Sequence, residues 1–183
     1  MATPEHTPEM TKLDYLTVVL YRLGLTVFAV ALLLKAVASV AGIVLLGEWY
    51  IAVVAIGVAL GSANIHLYDS FFRWLVPAVS WLGVIALALA WSSGAPVWVL
   101  LATGFFYAGM GMMAVKEQFC FKIPGLTFVP VILLVAWLLT AGGYGFFAGI
   151  ALGVAGLLYL VMVVAKWRMP LHFDIGDKSY YKF

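Results

Sequence analysis

Charge is what this sequence has least of. Only 10% of its 183 residues are charged, against 66% that are hydrophobic. A soluble domain carries about 25% charged residues, and at a mean hydropathy of +1.11 this chain has too few polar groups to face water. Lipid must be its solvent. A net charge of +2 with dispersed cations leaves no basic stripe, so nucleic acid is excluded as a partner. The single cysteine, Cys120, allows no internal disulfide. Histidine is nearly absent. Of three, His6 and His172 lie near the ends, and no Cys/His spacing fits a zinc site. Haem held by two histidines would need a second histidine in an apolar segment, and there is none. No metal site is expected, and the residues name no cofactor. The start, Met-Ala-Thr-Pro-Glu-His-Thr-Pro-Glu, is not cationic, and no small-residue cleavage pattern follows a short apolar core. A removed signal peptide is therefore not expected.

What the chain does have is long uncharged runs. Tyr15 to Leu46 is apolar except for Arg22 and Lys35. About 20 residues suffice to cross a bilayer core. The preferred reading starts the span near Arg22, with residues 13–21 as an interfacial approach turn; one long tilted helix also fits. Trp74 to Val115 is 42 residues without a charge, and its middle, Trp91-Ser92-Ser93-Gly94-Ala95-Pro96, is a turn cluster. Ile123 to Ala165 is 43 more, broken at Ala141-Gly142-Gly143-Tyr144-Gly145. Each run is read as a helical hairpin, with Pro130 bending the first helix of the second one. The expected fold is an all-α membrane protein, a bundle of six transmembrane helices. A polar tail over 1–13 precedes a membrane domain over 14–166, with spans near 22–46, 50–68, 74–91, 97–115, 124–141 and 145–165. A C-terminal tail covers 167–183.

The cations orient this arrangement. Lys12, Arg22, Arg73, Lys116, Lys122, Lys166, Arg168, Lys178 and Lys182 all fall on the side that would carry both termini. The opposite turns hold no Lys or Arg, which makes both termini cytoplasmic. Gly57 and Gly61, and Gly145, Gly149 and Gly153, form small-residue rows that let helices approach closely. They are read first as packing within one bundle and second as a homo-oligomer face.

The candidate functional residues lie mostly on the cytoplasmic side. His66, Asp69 and Arg73 share a helix face if the second span continues past the membrane. The dense charged stretch Lys116-Glu117-Gln118-Phe119-Cys120-Phe121-Lys122 is the other cluster. A polar site joining His66, Asp69, Glu117 and Cys120 is one reading. Interfacial ion pairs, such as Arg22 with Asp69 or Glu117, are the other. Cys120 would need a base to act as a nucleophile, and His66 is the histidine near a helix end. Asp174 and Asp177, with Lys178, could present carboxylates to a cation or a partner; a solvated turn is the plainer reading. Either Arg22 or Lys35 must be a cation inside the membrane, and such a group is a functional candidate by default.

Tyr21-Arg22-Leu23-Gly24-Leu25, Ile65-His66-Leu67-Tyr68, Lys116-Glu117-Gln118-Phe119-Cys120-Phe121 and Asp174-Ile175-Gly176-Asp177-Lys178-Ser179 resemble, in order, the signature pieces of a family of small uncharacterised bacterial integral membrane proteins. That family, a domain of unknown function, is frequent in cyanobacteria and some proteobacteria. The resemblance implies a multi-pass protein of the bacterial inner membrane, or of the thylakoid in a cyanobacterium, and supplies no activity. Three functions follow. The first is a non-enzymatic accessory or assembly protein that binds a membrane complex through its cytoplasmic face, since no complete catalytic set is visible. The second is a small transporter or channel built on Arg22 or Lys35. The third is a membrane thiol enzyme using Cys120.

Overall fold

The computed structural model describes residues 9–45, 47 and 49–176. Their regular structure is all helical, with no strand among the described residues. Helix α1 (Lys12–Ala41) is followed by α2 (Trp49–Ala63), α3 (Ser70–Ser93), α4 (Pro96–Phe121), a 3-10 turn over Leu126–Phe128, α5 (Val129–Ala141), α6 (Gly145–Arg168) and the short α7 (His172–Ile175). Four of them, α1, α3, α4 and α6, are long and apolar enough to cross a membrane; α2 and α5 are apolar but shorter.

Local chemistry sets the ends. Thr11 and Asp14 form a reciprocal capping box that starts α1 at Lys12. The residues read from sequence as an approach turn over 13–21 are therefore the first turns of one continuous helix. The capping signal lies ahead of the apolar run, so hydropathy alone placed the start too late. Asp69 caps α3 by accepting from the Phe72 amide. Gly94 ends α3 in the left-handed conformation at φ +67°, and Pro96 opens α4 where its missing N–H leaves nothing unpaired. This turn falls inside the 91–96 cluster. Pro130 does not bend a helix interior: it sits in the first turn of α5, just after the 3-10 turn. The proline inside a helix is Pro77, in α3.

Successive helices pack on one another, and α6 returns onto α1. They run antiparallel. Gly24 of α1 meets Gly57 and Gly61 of α2, Gly109 of α4 meets Ser80 of α3, Gly111 of α4 meets Pro130 of α5, and Gly149 of α6 meets Ser39 of α1. Gly57, Gly61, Gly149 and Gly153 thus all face neighbours within the chain, whereas Gly145 has nothing near it. The core between the helices is apolar and aromatic, with Phe28 edge-on to Tyr159 and Tyr107. Large apolar side chains such as Ile56, Ile85, Leu138 and Leu157 cover the outside, as a lipid-facing surface requires. Trp74 and Trp91 are exposed at the two ends of α3. At 1.5 Å per residue they stand about 26 Å apart, close to the thickness of a hydrocarbon core with an aromatic at each boundary.

The alternation brings the start of α1, the end of α2, the start of α3, the end of α4, the start of α5 and the end of α6 to one end of the molecule. Lys12, Arg73, Lys116, Lys122, Lys166 and Arg168 gather there. Lys35 belongs to the other end, where its ammonium lies 5.4 Å from the centre of the Tyr50 ring.

Candidate functional site: a buried ion network

Five charged side chains from four segments meet beneath the charged end. Arg22 comes from α1, Lys116 and Glu117 from α4, Lys166 from α6, and Asp174 from α7. Arg22 and Lys166 are each only 2% exposed. Arg22 donates through Nε to Asp174 Oδ2 at 2.7 Å, and its Nη2 lies 2.6 Å from the same oxygen. Its other donors reach the carbonyls of Met169 (2.8 Å) and Pro170 (3.1 Å). One guanidinium therefore holds three points of the segment that follows α6. A planar fork with five donors suits that task where an ammonium would not.

Lys166 bridges the two carboxylates. Its ammonium is 2.7 Å from Glu117 Oε2 and also pairs with Asp174 Oδ1. Glu117 receives two further contacts at Oε1, from the Tyr21 hydroxyl at 2.6 Å and the Lys116 ammonium at 3.1 Å. The Tyr21 ring lies under both ammoniums, 4.6 Å from that of Lys116 and 5.0 Å from that of Lys166. An unpaired charge here would cost several kcal/mol, which is why every member is paired and hydrogen-bonded. Among the described residues three cations face two carboxylates, so the network as described carries one positive charge in excess. Lys116 is its most accessible member, with its side chain 17% exposed.

A polar cavity of about 200 Å³ adjoins the network, lined by His66, Lys116, Glu117, Cys120, Lys166 and Asp174 among others. His66 lies in the link after α2, with Nε2 3.4 Å from Thr17 Oγ1. Burial pushes its pKa below the ordinary histidine value; Lys116 adds to this, while Asp174 and Asp14 oppose it. Cys120 is a free thiol at the same cavity. A second, larger cleft of about 830 Å³ opens where α3 and α5 flank α4. It is almost wholly apolar, and Lys116 is the charged residue on its wall. Leu67, Lys116 and Phe119 line both spaces.

The residues singled out from sequence separate into groups. Arg22, Lys116, Glu117 and Asp174 come together in the network. His66, Phe119 and Cys120 stand beside it at the cavity, and Phe121 packs 5.5 Å from the Lys166 ammonium. Asp69 and Arg73 do not share a helix face with His66. The chain leaves α2 at Ala63 and re-enters a helix at Ser70, so Asp69 is a cap and Arg73 donates to the Leu67 carbonyl at 3.4 Å. Arg22 pairs with Asp174, not with Asp69 or Glu117. Lys122 is the exposed left-handed residue that ends α4. Asp177 and Lys178 lie outside the described residues. Of Arg22 and Lys35, Arg22 is the buried one; Lys35 is half-buried near the far end of α1. Sequence reasoning missed Lys166 and Tyr21 as members. Lys166 read as a boundary cation because it closes a long apolar run, although its position just before a tail acid was a usable signal.

The sequence matches the family described as "Uncharacterized integral membrane protein (DUF2301)" over residues 58–183. It is 33% identical to an uncharacterized protein of Haemophilus influenzae over 186 aligned positions, covering 100% of this chain and 99% of the relative. No solved structure matches it.

Proposed function

This chain belongs to the DUF2301 family of uncharacterized integral membrane proteins, and we propose that it is a six-span accessory or assembly protein of the bacterial inner membrane. Its place would be the thylakoid if the source is cyanobacterial. Both termini are cytoplasmic, and the protein works by binding a membrane partner through that face. One observation carries the reading. The network uses its charges to fix residues 169–174 across the ends of α1, α4 and α6. A surface held in one shape loses little entropy when a partner docks on it. Phe119, 66% exposed, and Trp74 stand on the same end and supply apolar anchors. The positive-inside bias of that end supports the orientation. The antiparallel packing of α2 and α5 between longer helices supports six crossings.

The same geometry weighs against the other two functions. A carrier built on Arg22 needs that cation free to meet its substrate, and its donors are taken by Asp174 and two carbonyls; Lys35 stands apart from the network, over the Tyr50 ring. For a thiol enzyme, the charged groups beside Cys120, namely Lys116, Glu117 and Lys166, are already engaged with one another.

Site-specific photocrosslinking in cells tests the proposal. A photoreactive residue at Phe119 should give a discrete adduct of higher mass, and one at Trp91, on the opposite end, should not. Adducts from neither position, or equally from both, would sink the reading.

A further inference from the structure

We propose that the cleft between α3, α4 and α5 is a binding site for one anionic phospholipid, its acyl chains along α4 and its phosphate at Lys116. Phe119 borders both this cleft and the proposed partner surface, but the lipid proposal stands without the partner reading. The cleft has the volume of a ligand site, about 830 Å³, within the range of roughly 300–1,000 Å³ usual for such sites. Its walls are Val76 of α3, Ala108 and Met112 of α4, and Leu134 and Trp137 of α5. None of these offers a charge, and Trp137 has its indole N–H tied to the Leu100 carbonyl at 2.8 Å. The cleft runs along α4 from Leu101 to Lys116, about 22 Å at the helical rise. That length suits an acyl chain aligned with the helices.

Charge complementarity chooses the headgroup. Where the cleft reaches the charged end Lys116 joins its wall, and its ammonium stands there 3.1 Å from Glu117 Oε1. Lys116 belongs to a network with one positive charge in excess, and it is the member least enclosed. A phosphate there would balance the excess by a charge-assisted contact in a region shielded from bulk water. The 200 Å³ cavity shares Lys116, Leu67 and Phe119 with the cleft, and so gives the headgroup a polar space beside the apolar one. An uncharged or zwitterionic lipid would fill the cleft equally well and leave the excess charge unbalanced.

The test uses the full chain, purified in mild detergent, stripped of lipid, and titrated with dioleoyl phosphatidylglycerol or dioleoyl phosphatidylcholine under native mass spectrometry. The expected result is one tightly retained phosphatidylglycerol, preferred about tenfold over phosphatidylcholine. Lys116→Gln should remove the preference and retain lipid binding, since Glu117 keeps Lys166 and Tyr21 as partners. Lys116→Arg should restore the preference. Ala108→Trp, a substitution at an exposed position on the cleft wall, should weaken binding of both lipids. Equal retention of the two lipids by the unmodified protein would overturn the proposal, as would undiminished binding of both lipids in Ala108→Trp, an undiminished preference in Lys116→Gln, or loss of the preference in Lys116→Arg.

Discussion

Replacing Asp174 with alanine should release the C-terminal segment and strip the network of its keystone. Asp174 accepts from Arg22 at 2.7 Å and pairs with Lys166, and its side chain is 1% exposed. Its loss leaves Arg22 buried without an anion among the described residues. Arg22 can keep the Met169 and Pro170 carbonyls only if the segment stays in place, and the segment stays largely because Arg22 holds it. Lys166 is less affected because Glu117 remains 2.7 Å away. Removing one partner of a buried pair costs about 3–5 kcal/mol, and one broken clamp with one surviving bridge places Asp174→Ala within that range. The double variant Arg22→Met with Asp174→Leu removes both charges and should recover stability to within about 1 kcal/mol of the original. Two readouts suit the question: equilibrium unfolding in mixed micelles, and trypsin cleavage after Arg168 as a reporter of segment release. A loss under about 1 kcal/mol in Asp174→Ala would refute the reasoning, and so would a double variant as damaged as the sum of the two singles.

Other outcomes follow from single positions. A Cβ on Gly24 would lie within 2.6 Å of the Gly57 carbonyl oxygen and closer still to the Gly61 nitrogen. Gly24→Ala should therefore cost about 1–3 kcal/mol by forcing α1 from α2. A Cβ on Gly153 would meet Ala36 at an ordinary 3.5 Å, so Gly153→Ala should stay within about 0.5 kcal/mol in the same unfolding assay. The lowered pKa of His66 makes stability depend on pH. Above the ordinary histidine value near 6.5 both folded and unfolded chains hold it neutral; below that value the unfolded chain takes up the proton first. Unfolding midpoints should fall as pH drops from about 6.5 toward the folded value, and His66→Gln should flatten that slope. Cys120→Ser should leave the unfolding midpoint unchanged, because the thiol is exposed and outside the network.

The features legible in the sequence were those written over short distances. Ser93-Gly94-Ala95-Pro96 carries its own turn chemistry, a left-handed glycine and a helix-opening proline. The bias of cations toward one end needs only their order along the chain, and the helices do bring Lys12, Arg73, Lys116, Lys122, Lys166 and Arg168 to one end. The network was illegible for the opposite reason. Arg22 meets Asp174 across 152 positions and Lys166 meets Glu117 across 49. No local pattern says which acid a buried cation will choose. The face shared by His66, Asp69 and Arg73 failed for a nearer cause. An aspartate followed by Ser70-Phe71-Phe72 caps a new helix, and the capping preference ended the continuation that the spacing assumed. The start of α1 was missed through the same kind of signal, the Thr11–Asp14 box.

Labelling with a membrane-impermeant maleimide tests most directly whether the charged end, with its ion network and candidate partner surface, faces the cytoplasm. Cys120 is exposed at that end and is the chain's single cysteine. A Cys120→Ser background with Ser93→Cys moves the label to the opposite turn. Cys120 should react in inverted vesicles and be silent in intact spheroplasts, with the Ser93→Cys variant showing the reverse. Reaction of Cys120 in intact spheroplasts, or of both positions from the same side, would contradict the orientation and the six-span arrangement behind it.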